Sequence, residues 1–164
     1  MSTELTTYEK ALEWFVNKVR RRMIDFDHLN ELIGRQEQTD SEIKNAIEDT
    51  IDRYNTMPPP IGSSTINDFP SQDLLITGTM SRLLESSAIL HDRNHLGYSA
   101  AGMTVDTHSM AASYRSKANE LWQKFEQQAD ELKQALNIAD ITGSPTGIGS
   151  PYGVMGWFSN TLSI

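Results

Sequence analysis

The sequence predicts an all-α fold: a bundle of four to five helices followed by a long extended, uncharged C-terminal arm. Three observations predict it. Apolar residues recur at helical spacing through successive segments, no stretch shows a strand pattern, and no charged residue follows Asp140. The chain has 164 residues, enough for one domain of ordinary size. It divides into a helical body, residues 1–140, and a docking arm, residues 141–164.

Thr6 and Glu9 have capping-box spacing and open the first helix, since hydroxyl and carboxylate can satisfy each other's orphan amides. Leu12, Phe15, Val16, Val19 and Met23 then form one apolar stripe. Lys18, Arg20, Arg21 and Arg22 crowd the last turns, where positive charge complements the helix dipole. The same basic cluster is a candidate contact with an acidic neighbour or with passing nucleic acid. A short second helix is expected over 27–33, with Phe26, Leu29, Leu32 and Ile33 as its apolar side and Gly34 as its stop.

Thr39 and Glu42 repeat the capping-box spacing and start a third helix, which buries Ile43, Ala46, Ile47, Ile51 and Tyr54. Pro58, Pro59 and Pro60 forbid helix, so residues 57–70 read as an extended loop. The fourth helix spans about 71–91, with Ser71 as N-cap. Gly78, Ser81, Ser86, Ser87 and Ala88 let neighbours approach closely, which marks it as the central helix. A loop over 92–103 follows. Its Arg93, Asn94 and Tyr98 are either a cap on the preceding helix or a subunit contact. The fifth helix, about 107–137, is the longest. Met110, Tyr114, Ala118, Leu121, Phe125, Ala129, Leu132 and Leu136 repeat every three or four residues along it.

The arm is too apolar to be left in water and too rich in glycine to form a helix or core of its own. Ile148, Tyr152, Val154, Met155, Trp157, Phe158, Leu162 and Ile164 are its candidate partner-binding residues. Fully extended it reaches roughly 80 Å. Such an arm lies along another chain, folds back over its own body or stays disordered, and docking on a neighbour is the favoured reading.

Composition narrows the chemistry. Without cysteine there is no disulfide framework, thiolate metal site or thiol nucleophile. A net charge of -8 disfavours tight binding to phosphate backbones or anionic lipid. No apolar run is long enough to span a membrane, and the first residues do not read as a signal peptide. No phosphate-binding or dinucleotide glycine motif and no nucleophile elbow occur. His91 and His95 stand four apart, but Asn94 and Gly97 end the helix there and no second ligand pair accompanies them. The expectation is a protein that is not an enzyme and carries neither catalytic residues, metal nor cofactor.

Several stretches taken together resemble a known group. They are 39–47 running on to Tyr54-Asn55 and Pro58-Pro59; Leu83-Leu84 on to Arg93-Asn94, Tyr98-Ser99 and Gly102; and Leu132-Lys133 on to Asn137. This arrangement resembles small virion structural proteins of tailed bacteriophages, specifically the head–tail connector or adaptor proteins of the neck. The resemblance covers roughly 39–137 and leaves the first helix outside it. It implies a homo-oligomeric ring of twelve subunits beneath the portal protein, within a virion assembled in the host cytoplasm. The ring would continue the channel for double-stranded DNA toward the tail or neck proteins, and a terminal extension would grip the portal. Under that reading Glu48, Asp49, Asp52, Glu126 and Asp130 are candidate channel-lining residues, because negative walls let DNA slide without trapping it. Two other readings stay open: a baseplate or tail-fibre attachment protein, and a non-viral helical interaction module.

Overall fold

The computed structural model describes residues 6–30, 34–60, 62–93, 99–100, 103–104 and 108–142. Within them the chain is all-helical, with four helices. The first, α1, spans Thr7–Met23. Both halves of its capping box form: the Thr6 hydroxyl accepts from the Glu9 amide at 3.2 Å, and the Glu9 carboxylate accepts from the Thr6 amide at 2.7 Å. Leu12, Phe15, Val16 and Val19 are buried along the expected stripe. The helix stops at Ile24, which takes a left-handed conformation (φ 59°, ψ 32°) while its amide still bonds to the Arg20 carbonyl.

The short helix expected over 27–33 is corrected by the structure. Residues 27–29 form a turn, and Leu29 is exposed. The reason is Asp25. Its buried carboxylate accepts from the Asn30 side chain at 2.7 Å and from the amides of Glu37 and Gln38 at 2.7 and 3.1 Å. The described part of the connection therefore wraps around one side chain. Leu32 and Ile33 lie outside the described residues.

Helix α2, Asp40–Thr56, is the expected third helix, with the Thr39–Glu42 capping box complete and Ile43, Ala46, Ile47, Ile51 and Tyr54 buried. The proline run ends it, and the Pro58–Pro59 peptide bond is cis. The following loop is not simply extended. Ile66 and Phe69 turn inward and join the core, and the Phe69 ring packs on Tyr54 with centroids 4.9 Å apart.

Helix α3, Gln72–Arg93, begins where the Ser71 hydroxyl accepts from the Leu74 amide at 3.3 Å. It touches each of the other three helices, and every residue from Leu74 to Thr79 is buried. Gly78 shows why this helix needs small residues. A Cβ there would lie 2.5 Å from the Thr50 methyl and 2.8 Å from the Phe125 ring.

Beyond α3, Ser99–Ala100 pairs antiparallel with Met103–Thr104, a two-residue ribbon rather than a sheet layer. Helix α4 then runs His108–Thr142, 35 residues, roughly 52 Å at 1.5 Å per residue. It lies antiparallel to α3. Arg115 reaches Asp92 at one end, Ala118 accepts from Ser81, and Phe125 packs at Gly78 farther along. Its buried face differs from the predicted stripe at both ends: Met110 and Leu136 are exposed, while Ala111, Ala118, Phe125, Ala129 and Lys133 are buried. Alanines at 111, 118 and 129 alternate with the large Phe125, which fits against α3 where Gly78 leaves room. The helix also continues through Ile141 and Thr142, so the first two residues assigned to the arm are helical. The rest of the arm lies outside the described residues.

Candidate interaction surfaces

Arg20 does not share a surface with Arg21 and Arg22. It is 6 % exposed, and its guanidinium donates to Asp25 at 3.0 Å, to the Gln38 carbonyl at 3.1 Å and to Asp40 at 2.6 Å. A planar fork with several donors suits this three-way attachment, which a lysine could not reproduce. The arginine thus ties the end of α1 to the start of α2, and its proposed part in a subunit contact is withdrawn on grounds of burial. Arg21 and Arg22 remain exposed; Arg22 pairs with Asp73 at the start of α3. Arg93 is the exposed last residue of α3, and Asn94 and Tyr98 lie outside the described residues.

The five candidate channel residues fall into two groups. Glu48, Asp49 and Asp52 are exposed on one side of α2, at three- and four-residue spacing. Glu48 accepts from the Tyr8 hydroxyl at 3.0 Å, and this hydrogen bond to a carboxylate pushes the Tyr8 phenol above its ordinary pKa. Glu126 and Asp130 sit on α4 and are half-buried. Glu126 is engaged by Arg53 at 2.6 and 3.2 Å, which bridges α2 and α4, and Asp130 accepts from Gln134 at 2.7 Å. The exposed acidic ridge is therefore that of α2, and Glu126 serves chiefly to join helices.

Between α2 and α3 lies an open groove of about 300 Å³. Ala46 and Leu83, both buried, form its floor, and the half-exposed Ile89 stands at one end. Arg82 also lines it. Its guanidinium stacks 3.9 Å from the Trp122 ring centroid and donates to Glu85 at 3.2 Å, and its buried Nε has no acceptor among the described residues. Asn45, Ser86, Glu42 and Asp49 form the polar walls. The sequence reading missed this groove. The available signal was Arg82 with Glu85, an i,i+3 charge pair within the small and apolar middle of the central helix.

At the opposite end of the bundle, Lys133 was also missed. It is 1 % exposed, lies 4.7 Å from the Tyr54 ring centroid and donates to the Met57 carbonyl. Past it, none of residues 134–139 is buried, although α4 continues to Thr142. Lys133 is thus the last buried residue among those of α4 whose side chains are described.

Among the described residues no group of three or more His, Asp or Glu side chains is placed to hold a metal ion, and no helix is long and apolar enough to cross a membrane. His91 stacks on Tyr114, with centroids 5.4 Å apart. No protein-family model, curated protein or solved structure matches the chain.

Proposed function

We propose that this chain is a structural subunit of a tailed-phage particle, a head–tail adaptor that forms a ring between portal and tail. The observation that carries the assembly part of this reading is the end of α4. A helix with no buried residue over 134–139 that leads into an uncharged segment with eight large apolar residues, Ile148 to Ile164, is suited to deliver that segment to a neighbour. The place in the particle rests on the resemblance over 39–137. In this arrangement the arm from 143 onward grips the portal or an adjacent subunit, with Trp157 and Phe158 as its main anchors. The exposed ridge of Glu48, Asp49 and Asp52 faces the passing DNA, and Arg21 and Arg22 face an acidic neighbour.

Cryo-electron microscopy of the parent particle tests the reading. The expected result is a ring of this chain beneath the portal, with the α2 ridge inward. Finding Arg21 and Arg22 in the lumen and the acidic ridge outside would overturn the channel assignment. A position in the baseplate, following tail symmetry, would move the protein to the attachment class. Absence from any large assembly would favour a stand-alone interaction module.

A further inference from the structure

We propose that the groove between α2 and α3 receives the outward face of α1 from a second copy of this chain, with Trp14 as the anchor. The proposal rests on the assembly reading above and names the pair of surfaces that joins one subunit to the next.

The docking face is what remains free on α1. Lys10, Trp14, Lys18 and Arg21 follow one another at three- and four-residue spacing, on the side of the helix away from the buried Leu12, Phe15, Val16 and Val19. Trp14 is 41 % exposed, unusual for so large an aromatic. The Lys18 ammonium lies 4.9 Å from its ring centroid, so the anchor carries a cation with it. Arg20 and Arg22 are each taken up by carboxylates of their own chain. Among the described residues none of Lys10, Lys18 and Arg21 forms an ion pair, in a chain whose net charge is -8.

The groove is the matching surface. Ala46, Leu83 and Ile89 supply its apolar lining, and about 300 Å³ accommodates one aromatic side chain. Arg82 is answered there by Glu85 at 3.2 Å, which leaves Glu42 and Asp49 as net negative charge along the α2 wall. The spacing agrees on both sides. Lys10 and Lys18 flank Trp14 about 12 Å apart along α1, and Glu42 and Asp49 flank Ala46 about 10 Å apart along α2. Each surface is an apolar centre between two like charges, and the two surfaces are opposite in sign. Asp49 stands where the groove wall meets the outward ridge of α2, and Glu48 and Asp52 lie outside the groove.

Placement selects a second copy. None of the residues lining the groove belongs to α1, and the buried stripe of α1 fixes that helix with Trp14 turned outward. Two different surfaces of one chain that fit each other make a head-to-tail contact, the kind that generates rings.

Charge reversal in the full-length chain tests this. One variant, Lys10→Glu/Lys18→Glu, reverses the α1 face. The other, Asn45→Lys/Asp49→Lys, reverses the α2 wall and spares the Glu42 cap. Each alone sets like charges across the contact and should self-associate at least about tenfold more weakly than wild type in sedimentation velocity. Mixed, each supplies the sign that the other lacks, and association should return to within about threefold of wild type. Trp14→Ala should weaken the wild-type assembly about thirtyfold. If a reversed variant folds poorly by circular dichroism, oxidation of mixed Asn17→Cys and Ser86→Cys copies takes its place, with no native thiol as background. That interchain disulfide should form about tenfold more readily than with an Asn119→Cys control, and a control-level yield overturns the contact. Reversed variants that assemble alone as wild type does, or a mixture as weak as its parts, overturn the contact and leave the ring reading standing. Rescue on mixing within an open filament keeps the contact and removes the ring. A wild-type chain that light scattering shows to be a monomer removes both.

Discussion

The ammonium of Lys133 donates to the main-chain carbonyl of Met57, across 76 positions of sequence, and no carboxylate takes part. Proline at 58 ends α2 and leaves that carbonyl without a helical partner, so a lysine from α4 satisfies it. The Tyr54 ring supports the charge from 4.7 Å away. One buried contact thus ties α4 to the C-terminal end of α2.

Burial holds the Lys133 amine below the ordinary lysine pKa. The unfolded chain therefore binds more protons than the folded one between that lowered value and about 10.4, and the lysine's contribution to stability rises with pH across this window. Urea melts of wild type and Lys133→Met at pH 8 and pH 10 should show wild type gaining relative to the variant, with the tyrosines common to both cancelling. Lys133→Ala, which also leaves a cavity, should lose about 2–3 kcal/mol at neutral pH.

Asp25 and Arg20 form a buried pair whose other partners are main-chain groups, Asn30 and the Asp40 carboxylate. Asp25→Ala leaves the guanidinium with Asp40 as its one carboxylate partner and strands the amides of Glu37 and Gln38. A loss of about 3–5 kcal/mol is expected in urea denaturation. Asp40→Asn, whose side chain is mostly exposed, should lose less than about 1 kcal/mol.

Gly78→Ala gains about 1 kcal/mol of helix propensity but drives its methyl into Thr50 and Phe125. The net expectation is a loss of up to about 2 kcal/mol, because overpacking costs about 1–3. Thr50→Ser removes the closer obstacle and keeps the hydroxyl that donates to Ala46 at 2.7 Å. The double variant should be more stable than Gly78→Ala alone; a strictly additive cycle would disprove the contact.

Ile24 is a β-branched residue held at φ 59°, and its side chain is 61 % exposed. A left-handed conformation costs an L-residue about 1–2 kcal/mol, so Ile24→Gly should gain about 0.5–1 kcal/mol despite glycine's freer unfolded state. The urea midpoint should rise with an unchanged slope.

Truncation after Thr142 should leave the helical circular-dichroism signal of the body intact and abolish assembly. Trp157→Ala with Phe158→Ala should reproduce most of that defect. A loss of helix content on truncation would show instead that the arm belongs to the core.

What the sequence determined by itself was local. The two capping boxes and the Ser71 cap each depend on groups three residues apart, and the proline run stops a helix wherever it occurs. The apolar faces of α1 and α2 follow from a 3.6-residue period, and the absence of charge beyond Asp140 is plain composition. Tertiary structure decided the rest. Leu29 looked like part of a helical face until Asp25 drew in amides twelve and thirteen positions away. Arg20 read as one of three surface arginines, yet Asp40, which makes it an internal tie, lies twenty positions on. On α4 the period and its central residues Ala118, Phe125 and Ala129 were legible, but not the ends, where Met110 and Leu136 stay outside while Ala111 and Lys133 are buried. Caps and periods are set by interactions within one or two turns. Which face is buried, and which charge, depends on partners that only the packed bundle brings together.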